Sequence, residues 1–378
     1  MKRAAEVGDL IRQHIDDIHQ IVPNTWKRRT MYALARCRTA AMGGHIDQCD
    51  NPACNRVHIS YNSCRNRHCP KCQGHLREKW INAREADLLN TKYFHVVFTL
   101  PHHLNELALE RPDLIYGLLF KTTWSMIEDF GHSPKLLGAR MGMIAVLHTW
   151  GQNLSLHPHL HCIIPAGGIT KSNKWKATRV KGKPGCRKAR YLFPVTEMKK
   201  VFRARFVAAL RKAITLDKNI SEELFAKHWV IYCEQPFYGP KQVIQYLGNY
   251  THKIAISNSR IISVNHGQVT FHAKDYRHKG KRVILQLTEK EFIRRFSLHV
   301  LSKGFTRVRH YGILSSTSKK ACKLIIDEQL GPLILPNIEK KVMLRICPHC
   351  KKGTLVTISV FDERGPPTQW ISLLKINL

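Results

Sequence analysis

Five cysteines lie close together near the N-terminus, and this cluster constrains the fold of the chain more than any other feature. They are Cys49, Cys54, Cys64, Cys69 and Cys72. Two close pairs of thiolates joined by a loop of this length suit a tetrahedral zinc ion. The alternative is a set of buried free cysteines, which so many thiols in so short a segment disfavour. The sequence therefore predicts a structural zinc site.

More residues could serve as ligands of that zinc ion than the ion needs. We expect the four ligands to be Cys49, Cys54, Cys69 and Cys72. Cys64 and His68 are the alternative ligands, and the sequence leaves open whether a second ion binds. Zinc ligation stabilises a small fold and by itself implies no chemistry. Arg65, Arg67 and Lys71 lie among the cysteines, so the segment is predicted to bind DNA.

Another pair of cysteines, Cys347 and Cys350, lies near the other end of the chain in a Cys-Pro-His-Cys sequence. This spacing is half of a similar zinc site, and no cysteine follows it. Two interpretations stay open for this pair: a partial zinc ribbon, or two ordinary thiols.

The balance of charge indicates a polyanionic partner. The chain has 61 Lys and Arg against 27 Asp and Glu among 378 residues, which gives a formal net charge of +34. A charge of this size repels itself in a folded protein, so we expect nucleic acid to supply the counter-charge. An anionic membrane surface is the rival partner, but no basic amphipathic helix supports it.

The sequence also lacks the segments that would direct it to a membrane. No run approaches the roughly 18–20 uninterrupted apolar residues that a spanning helix requires. Residues 1–10 lack the apolar stretch of a signal peptide. We therefore expect a cytoplasmic protein with no membrane partner, whose cysteines bind metal or remain buried thiols. The oligomeric state is not predicted.

Hydrophobic periodicity predicts a mixture of helices and strands. Apolar residues at helical spacing indicate a helix that ends at Pro23 and a second helix over 26–41. Aromatic and β-branched residues predict a buried strand at 93–100, and two strands at 143–149 and 159–164 form a hairpin. Further helices are predicted at 113–130, 196–214, 240–253 and 288–301, and further strands at 259–264, 268–272 and 282–287.

A strongly basic segment lies between the predicted hairpin and the next helix. Residues 171–190 contain nine basic residues and no acidic one, together with Gly and Pro residues that favour a mobile loop. We expect four of its side chains to contact DNA phosphates, namely Lys181, Lys183, Arg187 and Lys188. The alternative is a solvated run of charge without a partner.

Three histidines provide the most informative pattern in the sequence. His159 and His161 lie in one predicted strand, and side chains alternate along a strand, so both face the same side. His148 lies on the other strand of the predicted hairpin and reaches the same face if the register allows; Gln152 is an alternative third ligand. Three protein ligands leave open positions for substrate oxygens, as a catalytic metal requires. We expect Mg²⁺ or Mn²⁺ there, although imidazole also suits zinc, nickel and cobalt.

Two tyrosines lie one turn apart on a predicted helix. Tyr246 and Tyr250 share a face, and Lys253 lies on the same face three residues further on. A phenol with a pKa near 10 needs a nearby cation or metal-bound phosphate to act as a nucleophile. Taken alone, this helix fits two aromatic rings packed against a sheet equally well.

Together these motifs resemble the two-tyrosine HUH-superfamily transposases of bacterial rolling-circle insertion sequences. The resemblance covers about residues 26–312 and depends on the order zinc cluster, His-hydrophobic-His and Tyr-x₃-Tyr. The stretches that carry it are NSCRNRHCPKCQ (62–73), FHVVFTLP (94–101), LHTWGQNLSLHPHLHC (147–162), YLGNYTHKIAISNSRI (246–261) and EFIRRFSLHVLSKGFTRVRHYG (291–312). The first cysteine pair is spaced more widely than is usual in this family, and the chain after Gly312 matches none of its motifs.

The resemblance implies a fold, a domain order and a set of site residues. It implies an α+β fold in which a central antiparallel sheet with flanking helices follows a helical, zinc-binding N-terminal domain. The domains would be 1–90 with the zinc cluster, 91–312 with the catalytic site, and a C-terminal tail at 313–378. It makes His159 and His161 metal ligands and Tyr246 and Tyr250 nucleophiles. A likeness to three-histidine relaxases adds His148.

The implied function is a bacterial transposase that cleaves and rejoins single-stranded or hairpin DNA at element ends. One tyrosine would attack to give a 5′-phosphotyrosine, and Lys253 would stabilise the developing charge. Two alternatives stay open. A rolling-circle replication initiator would share the chemistry, and a non-catalytic zinc-module DNA binder would use the histidines and tyrosines only for packing.

Overall fold

The computed structural model describes most of the chain. It covers residues 5–73, 87–178, 192–226, 229–233, 254–275, 280–333 and 345–368, and the single positions 243, 248, 278 and 370. The chain divides into two compact units, each discontinuous in sequence. The first consists of Met1–Gly74, Ile256–Val300 and Pro336–Leu378, and the second of His75–Ala255 and Leu301–Leu335.

The described residues form both α-helices and β-strands. The helices are α1 (Val7–Gln13), α2 (Ile18–Ile21), α3 (Thr25–Arg36), α4 (Asn105–Glu110), α5 (Pro112–His132), α6 (Val195–Ala213), α7 (Lys218–Ala226), α8 (Glu289–Leu298) and α9 (Lys319–Leu330). The strands are β1 (Gly44–Cys49), β2 (Val57–Tyr61), β3 (Tyr93–Thr99), β4 (Gly142–Trp150), β5 (Leu156–Pro165), β6 (Gly167–Ile169), β7 (Trp175–Ala177), β8 (Val230–Cys233), β9 (Ile261–Asn265), β10 (Gln268–Asp275), β11 (Lys281–Thr288), β12 (Val308–Gly312) and β13 (Leu355–Phe361).

The helix α3 ends earlier than its sequence pattern predicted. It begins after Asn24, whose side chain accepts a hydrogen bond from the backbone N–H of Lys27 at 3.0 Å and so caps the first turn. It ends at Arg36 and not at residue 41, because Cys37 adopts an extended backbone with φ −61° and ψ 122°. The chain therefore leaves the helix at Cys37, and this thiol faces the cysteines further along the sequence.

The first unit contains two antiparallel sheets of three strands each, in the orders β13-β1-β2 and β11-β10-β9. In the sheet β13-β1-β2 the central strand comes from the N-terminal part of the chain and one edge strand from the C-terminal part. The sequence predicts three contiguous domains, of which residues 313–378 form a separate C-terminal tail. The pairing of β13 with β1 instead makes part of that tail a strand of the N-terminal sheet.

A buried carboxylate ties the three strands of this sheet together. Asp47 of β1 is 4% exposed. Its two oxygens accept hydrogen bonds from Ser60 of β2 at 3.0 Å and from Thr357 of β13 at 2.7 Å. His45 lies 3.3 Å from the same carboxylate. A buried carboxylate is costly unless its oxygens are satisfied, so Asp47 holds both neighbouring strands in register.

The second unit is built around a five-stranded antiparallel sheet with the order β12-β4-β5-β3-β8. The predicted strand at 93–100 and the predicted hairpin at 143–149 and 159–164 form its three central strands. The short strands β6 and β7 form a separate two-stranded sheet. The predicted α+β class with a central antiparallel sheet is therefore confirmed.

One face of the five-stranded sheet is covered by helices. Alternate residues of the central strands join this core: Phe94, Val96 and Phe98; Met143, Ala145 and Leu147; Leu160, Cys162 and Ile164. They pack with buried residues of α5 and α6, including Phe120, Phe202 and Phe206. Because side chains alternate along a strand, the intervening residues point to the opposite face. Part of that face, including Ile144 and Ile163, packs against Ile326 of α9.

The long helices follow their sequence predictions closely. The predicted helices at 113–130, 196–214 and 288–301 correspond to α5, α6 and α8. Apart from the single positions 243 and 248, the predicted helix at 240–253 lies outside the described residues, and so does most of the predicted basic loop. None of the helices in the part of the chain that the structure describes is both long enough and apolar enough to cross a membrane.

Replacing Asp47 with Ala should destabilise the first unit. The change removes two part-buried hydrogen bonds from the Ser60 and Thr357 hydroxyls to a charged acceptor, which costs about 1–3 kcal/mol. The matched control is Asp362→Ala, because Asp362 lies just after β13 and forms an exposed ion pair with Arg364. Chemical denaturation at saturating zinc measures both. Equal stability of the two variants would contradict the role given to Asp47.

Candidate metal and catalytic site

Three histidines come together on the face of the sheet opposite the helix-covered core. His159 and His161 lie on β5, and His148 lies on β4 directly opposite His159 in the antiparallel register. Paired residues on neighbouring strands share a face, so all three imidazoles point to the same side. The register thus satisfies the condition that the sequence pattern left open for His148.

The three imidazoles are close enough to share one ion. Their candidate ligand atoms all lie within 4.8 Å of one another. His148 and His161 are buried at 2% and 9% exposure, and His159 is half-buried. The ring centroids of His148 and His161 are 4.5 Å apart, and those of His159 and His161 are 4.9 Å apart. Three neutral nitrogen donors at this spacing suit a divalent cation with open coordination positions.

Hydrogen bonds engage one ring nitrogen in two of these histidines. The Nδ1 of His159 lies 2.6 Å from the carbonyl oxygen of His157, which only a protonated Nδ1 can contact as a donor. The Nδ1 of His161 lies 3.0 Å from the Nε2 of His95. Both Nδ1 atoms are engaged in this way, which favours Nε2 of each ring as the ligand atom for a metal ion. Such outer hydrogen bonds orient metal-binding histidines generally.

His95 is a fourth histidine at this site, and the sequence pattern did not single it out. It lies on β3, is 2% exposed, and stacks on His161 with ring centroids 5.2 Å apart. Its position opposite Ile163 in the register puts it on the face that carries His159 and His161. The signal was present, since His95 interrupts an otherwise apolar strand. The surrounding residues FHVVFTL indicated only burial.

The third ring, His148, is held by packing. Trp150 stacks on it with centroids 4.6 Å apart and an interplanar angle of 20°. The β4–β5 register shifts between His148 and Trp150, and such bulges re-aim side chains near functional sites. The guanidinium of Arg307 lies 5.1 Å from the Trp150 ring centroid and donates from Nε to the Leu147 carbonyl at 3.0 Å. Arg307 therefore helps to hold Trp150 in its stacked position against His148.

The cysteines form two groups of four, and neither group is the set expected from the sequence. One group consists of Cys37, Cys64, Cys69 and Cys72, and the other of Cys49, Cys54, Cys347 and Cys350. The expected set of Cys49, Cys54, Cys69 and Cys72 is therefore corrected: the structure assigns its two pairs to different groups. Cys64 is a full member of the first group, whereas His68 belongs to neither. Cys37 was missed because the predicted helix ran past it.

The spacing of the first group fits a tetrahedral zinc ion. Cys37 Sγ lies 3.6 Å from the Sγ atoms of Cys69 and Cys72, and Cys64 Sγ lies 3.8 Å from that of Cys72. Four sulfur atoms bound to zinc at about 2.3 Å lie about 3.8 Å from one another. A disulfide would require about 2.05 Å, so the atoms are arranged for a shared ion.

The remaining predicted site residues lie outside the described part of the chain. They are Tyr246, Tyr250 and Lys253 of the predicted tyrosine helix, and Lys181, Lys183, Arg187 and Lys188 of the predicted basic loop. Their roles stay predictions. Gln152, the alternative third ligand, lies in the turn that follows β4.

Two family profiles match the chain, and they coincide with the two kinds of site. Residues 142–321, which include His148, His159 and His161, match the family described as "Putative transposase". Residues 10–100, which include the whole first cysteine group, match the family described as "Transposase zinc-binding domain". The chain is also similar to named proteins over most of its length.

Two such relatives carry transposase names. The chain is 38% identical to "Putative transposase y4qJ" of Sinorhizobium fredii, over 97% of this chain and 98% of that protein. It is 24% identical to "Transposase for insertion sequence element IS801" of Pseudomonas savastanoi pv. phaseolicola, over 76% of this chain and 70% of that protein. No solved structure matches the chain significantly.

A five-stranded antiparallel sheet that carries a histidine cluster, together with a cysteine-rich zinc-binding region, defines a DNA transposase with a zinc-binding domain. Within that class, the chain belongs to the two-tyrosine transposases of bacterial rolling-circle insertion sequences, as its motifs predicted. A DNA substrate and structural zinc follow from this membership.

Removing the hydrogen-bonding nitrogen of His95 should weaken metal binding at the histidine site. His95→Leu should reduce Mn²⁺ affinity about 10- to 100-fold, as is typical when an outer partner of a histidine ligand is lost. His95→Gln offers a side-chain acceptor to His161 and should recover part of the affinity. Electron paramagnetic resonance of free Mn²⁺ measures the binding directly.

The control for this prediction is His132→Phe at the exposed end of α5 in the same unit. Thermal unfolding should show that His95→Leu remains folded at the assay temperature. Unchanged Mn²⁺ affinity in folded His95→Leu would show that His95 only fills space.

Proposed function

We propose that this transposase cleaves and rejoins single-stranded DNA at the ends of its insertion sequence through 5′-phosphotyrosine intermediates. The observation that supports the proposal most strongly is the cluster of His148, His159 and His161 on adjacent strands of the transposase domain. A zinc-module DNA binder without catalytic activity would have no need for three convergent imidazoles, of which two are buried.

The histidine cluster is proposed to hold Mg²⁺ or Mn²⁺. The three neutral donors fit such a cation, and the hydrogen bonds at Nδ1 of His159 and His161 favour Nε2 of both rings as the ligand atoms. The bound cation would polarise a non-bridging oxygen of the scissile phosphate. Burial of His148 and His161 keeps these two rings fixed, so the site would position the phosphate with little reorganisation.

Tyrosine is the proposed nucleophile. Tyr246 or Tyr250 would attack phosphorus through its phenolic oxygen, and the departing strand would leave as a free 3′-hydroxyl. The phosphotyrosine bond conserves the energy of the broken phosphodiester, so rejoining requires no ATP. The second tyrosine, or the 3′-hydroxyl, would then complete strand transfer. Lys253 would stabilise the charge that develops during attack.

Binding of the DNA end is proposed to use the basic surfaces of the protein. The formal net charge of +34 favours binding of a polyanion such as DNA. Lysines and arginines lie among the cysteines of the zinc-binding region. Single-stranded or hairpin DNA is the proposed form of the substrate, because a strand that is already unpaired can enter the cluster without melting a duplex.

Replacing both tyrosines with Phe should abolish the covalent adduct between protein and DNA. Tyr246→Phe and Tyr250→Phe each remove one oxygen and little volume, so the fold should survive. We expect Tyr250→Phe to be the more damaging single change, because Lys253 follows Tyr250 by only three residues on the predicted helix. The measurement is a denaturing gel after incubation with a single-stranded element end and Mg²⁺, followed by mapping of the modified peptide.

Two further variants make this experiment specific. Tyr232→Phe is the matched control, because Tyr232 is an exposed tyrosine of the same sheet, and it should leave the adduct unchanged. His159→Ala with His161→Ala should abolish cleavage and largely spare DNA binding. An adduct that persists without both tyrosines, or that maps outside 240–253, would refute the mechanism.

Neutralising the predicted basic loop should weaken DNA binding and reduce its dependence on salt. The variant replaces four residues with Gln: Lys181, Lys183, Arg187 and Lys188. If each contacts a phosphate, the slope of log affinity against log salt should fall by about 3, since each contact to single-stranded DNA contributes about 0.7. Fluorescence anisotropy over a salt series measures both quantities.

The control removes the same charge from exposed positions elsewhere in the second unit: Lys121, Lys200, Lys212 and Lys218. A general effect of net charge would lower binding equally in both variants. If the control alone weakens binding, or neither does, the loop is a solvated run of charge.

A further inference from the structure

The second cysteine group draws its members from opposite ends of the sequence. The two regions that match family profiles are residues 10–100 and 142–321. Cys49 and Cys54 lie within the first of these regions, whereas Cys347 and Cys350 lie in neither. All four belong to the first compact unit. Their candidate ligand atoms lie within 4.8 Å of one another. The group shares no cysteine with the first one, so the two groups are independent.

The sulfur atoms of this group are spaced for a tetrahedral ion. Cys49 Sγ lies 3.6 Å from Cys350 Sγ, and Cys54 Sγ lies 3.8 Å from Cys347 Sγ. These distances match the edge of about 3.8 Å expected for four thiolates around zinc, and they exclude a disulfide. Each of the two contacts joins one N-terminal cysteine to one C-terminal cysteine.

The loop that carries the C-terminal pair is shaped around the sulfur atoms. The backbone N–H of Gly353 donates to Cys350 Sγ at 3.3 Å, and the side-chain amide of Asn51 lies 3.9 Å from the same atom. A Cβ on Gly353 would lie only 2.5 Å from Cys49 Sγ. A glycine is therefore required where the loop passes the sulfur of the opposite cysteine pair.

Backbone pairing continues directly from the cysteines into the sheet. The N–H of Asp50 donates to the carbonyl of Thr354 at 2.9 Å, and the N–H of Thr354 donates to the Asp50 carboxylate at 2.6 Å. Cys49 is the last residue of β1, and Leu355 opposite it is the first residue of β13. Two cysteine-bearing loops at one end of a three-stranded antiparallel sheet are the arrangement of a zinc ribbon.

We propose that Cys49, Cys54, Cys347 and Cys350 bind a second structural zinc ion, which completes a zinc ribbon from both ends of the chain and fastens β13 onto the N-terminal sheet. The cysteines of the first group lie between residues 37 and 72, so that site forms without the C-terminal segment. The second site cannot form without it. The proposal is independent of the DNA-cleavage mechanism.

Two histidines near the sulfur atoms define the alternative ligand set. His58 Nε2 lies 3.6 Å from Cys347 Sγ, and His349 Nδ1 lies 3.9 Å from Cys54 Sγ. Both distances fit hydrogen bonds from an imidazole N–H to a thiolate. Such hydrogen bonds would offset the negative charge of four thiolates around one zinc ion. We assign the histidines this supporting role and the four cysteines the ligation.

The test counts zinc in the full-length protein, in a background that carries His159→Ala and His161→Ala so that the histidine cluster adds none. Elemental analysis should give two zinc ions per chain, and X-ray absorption should show sulfur as the only ligand type. Cys347→Ser with Cys350→Ser should retain one zinc, and Cys69→Ser with Cys72→Ser should retain the other. Cys233→Ser on β8 is the control and should retain both.

One zinc per chain in the background protein, or two in the Cys347→Ser and Cys350→Ser variant, would overturn the proposal. A nitrogen ligand in the absorption spectrum would overturn the ligand set. Because serine variants can unfold, Gly353→Ala provides a second route that keeps every thiol. It should release one of the two ions to a chelator at least ten times faster than in the background protein, and equal rates would count against the site.

Hydrogen exchange tests the fastening of β13. Amides of β13 that bond to β1 should lose protection when Cys347 and Cys350 are replaced, while the amides that join β1 to β2 keep theirs. Unchanged protection of β13 in a variant that holds one zinc would show that the ion does not fasten the strand.

Discussion

The candidate site depends on the register between two antiparallel strands. In β4 and β5 one set of alternate residues enters the helix-covered core, and the other set includes the three histidines. A slip of one residue would put Leu147 and Leu160 on the site face and turn histidines into the core. Hydrophobic burial of one face therefore holds the imidazoles together on the other. The histidine cluster is a consequence of core packing.

A second layer of interactions refines what the register provides. His95 on β3, the carbonyl of His157, and Trp150 backed by Arg307 each constrain one of the three rings. These contacts come from three different strands or their flanking segments. A rigid sheet is well suited to this task, since residues on strands are held more closely than residues on loops. Histidines held in this way keep their relative positions with little rearrangement.

Much of this arrangement could be predicted from the sequence, and the failures have two causes. Aromatic and β-branched residues identified β3, and two strand-like stretches joined by a short turn identified β4 and β5. The alternation of side chains along a strand then placed His159 and His161 on one face, because that information is local. The ligand sets of the cysteines could not be read in the same way. Cys37 lies just beyond a helix end that the sequence placed too late, and Cys347 and Cys350 meet Cys49 and Cys54 only through the pairing of β13 with β1. Partners that distant in sequence are determined by topology, which spacing along the chain does not encode.

The pairing of β13 with β1 also sets the order of events during synthesis. Cys49 and Cys54 leave the ribosome about 300 residues before Cys347 and Cys350. At the usual rates of translation that interval is roughly 15–60 s. During this interval the edge of β1 that will pair with β13 is unpaired, and Cys49 and Cys54 lack the two cysteines that complete their group. The N-terminal sheet can be finished only after nearly the whole chain has been made. A chain truncated before β13 therefore has one edge of β1 unpaired. In the full chain, the sheet whose strands are synthesised first is the last to be completed.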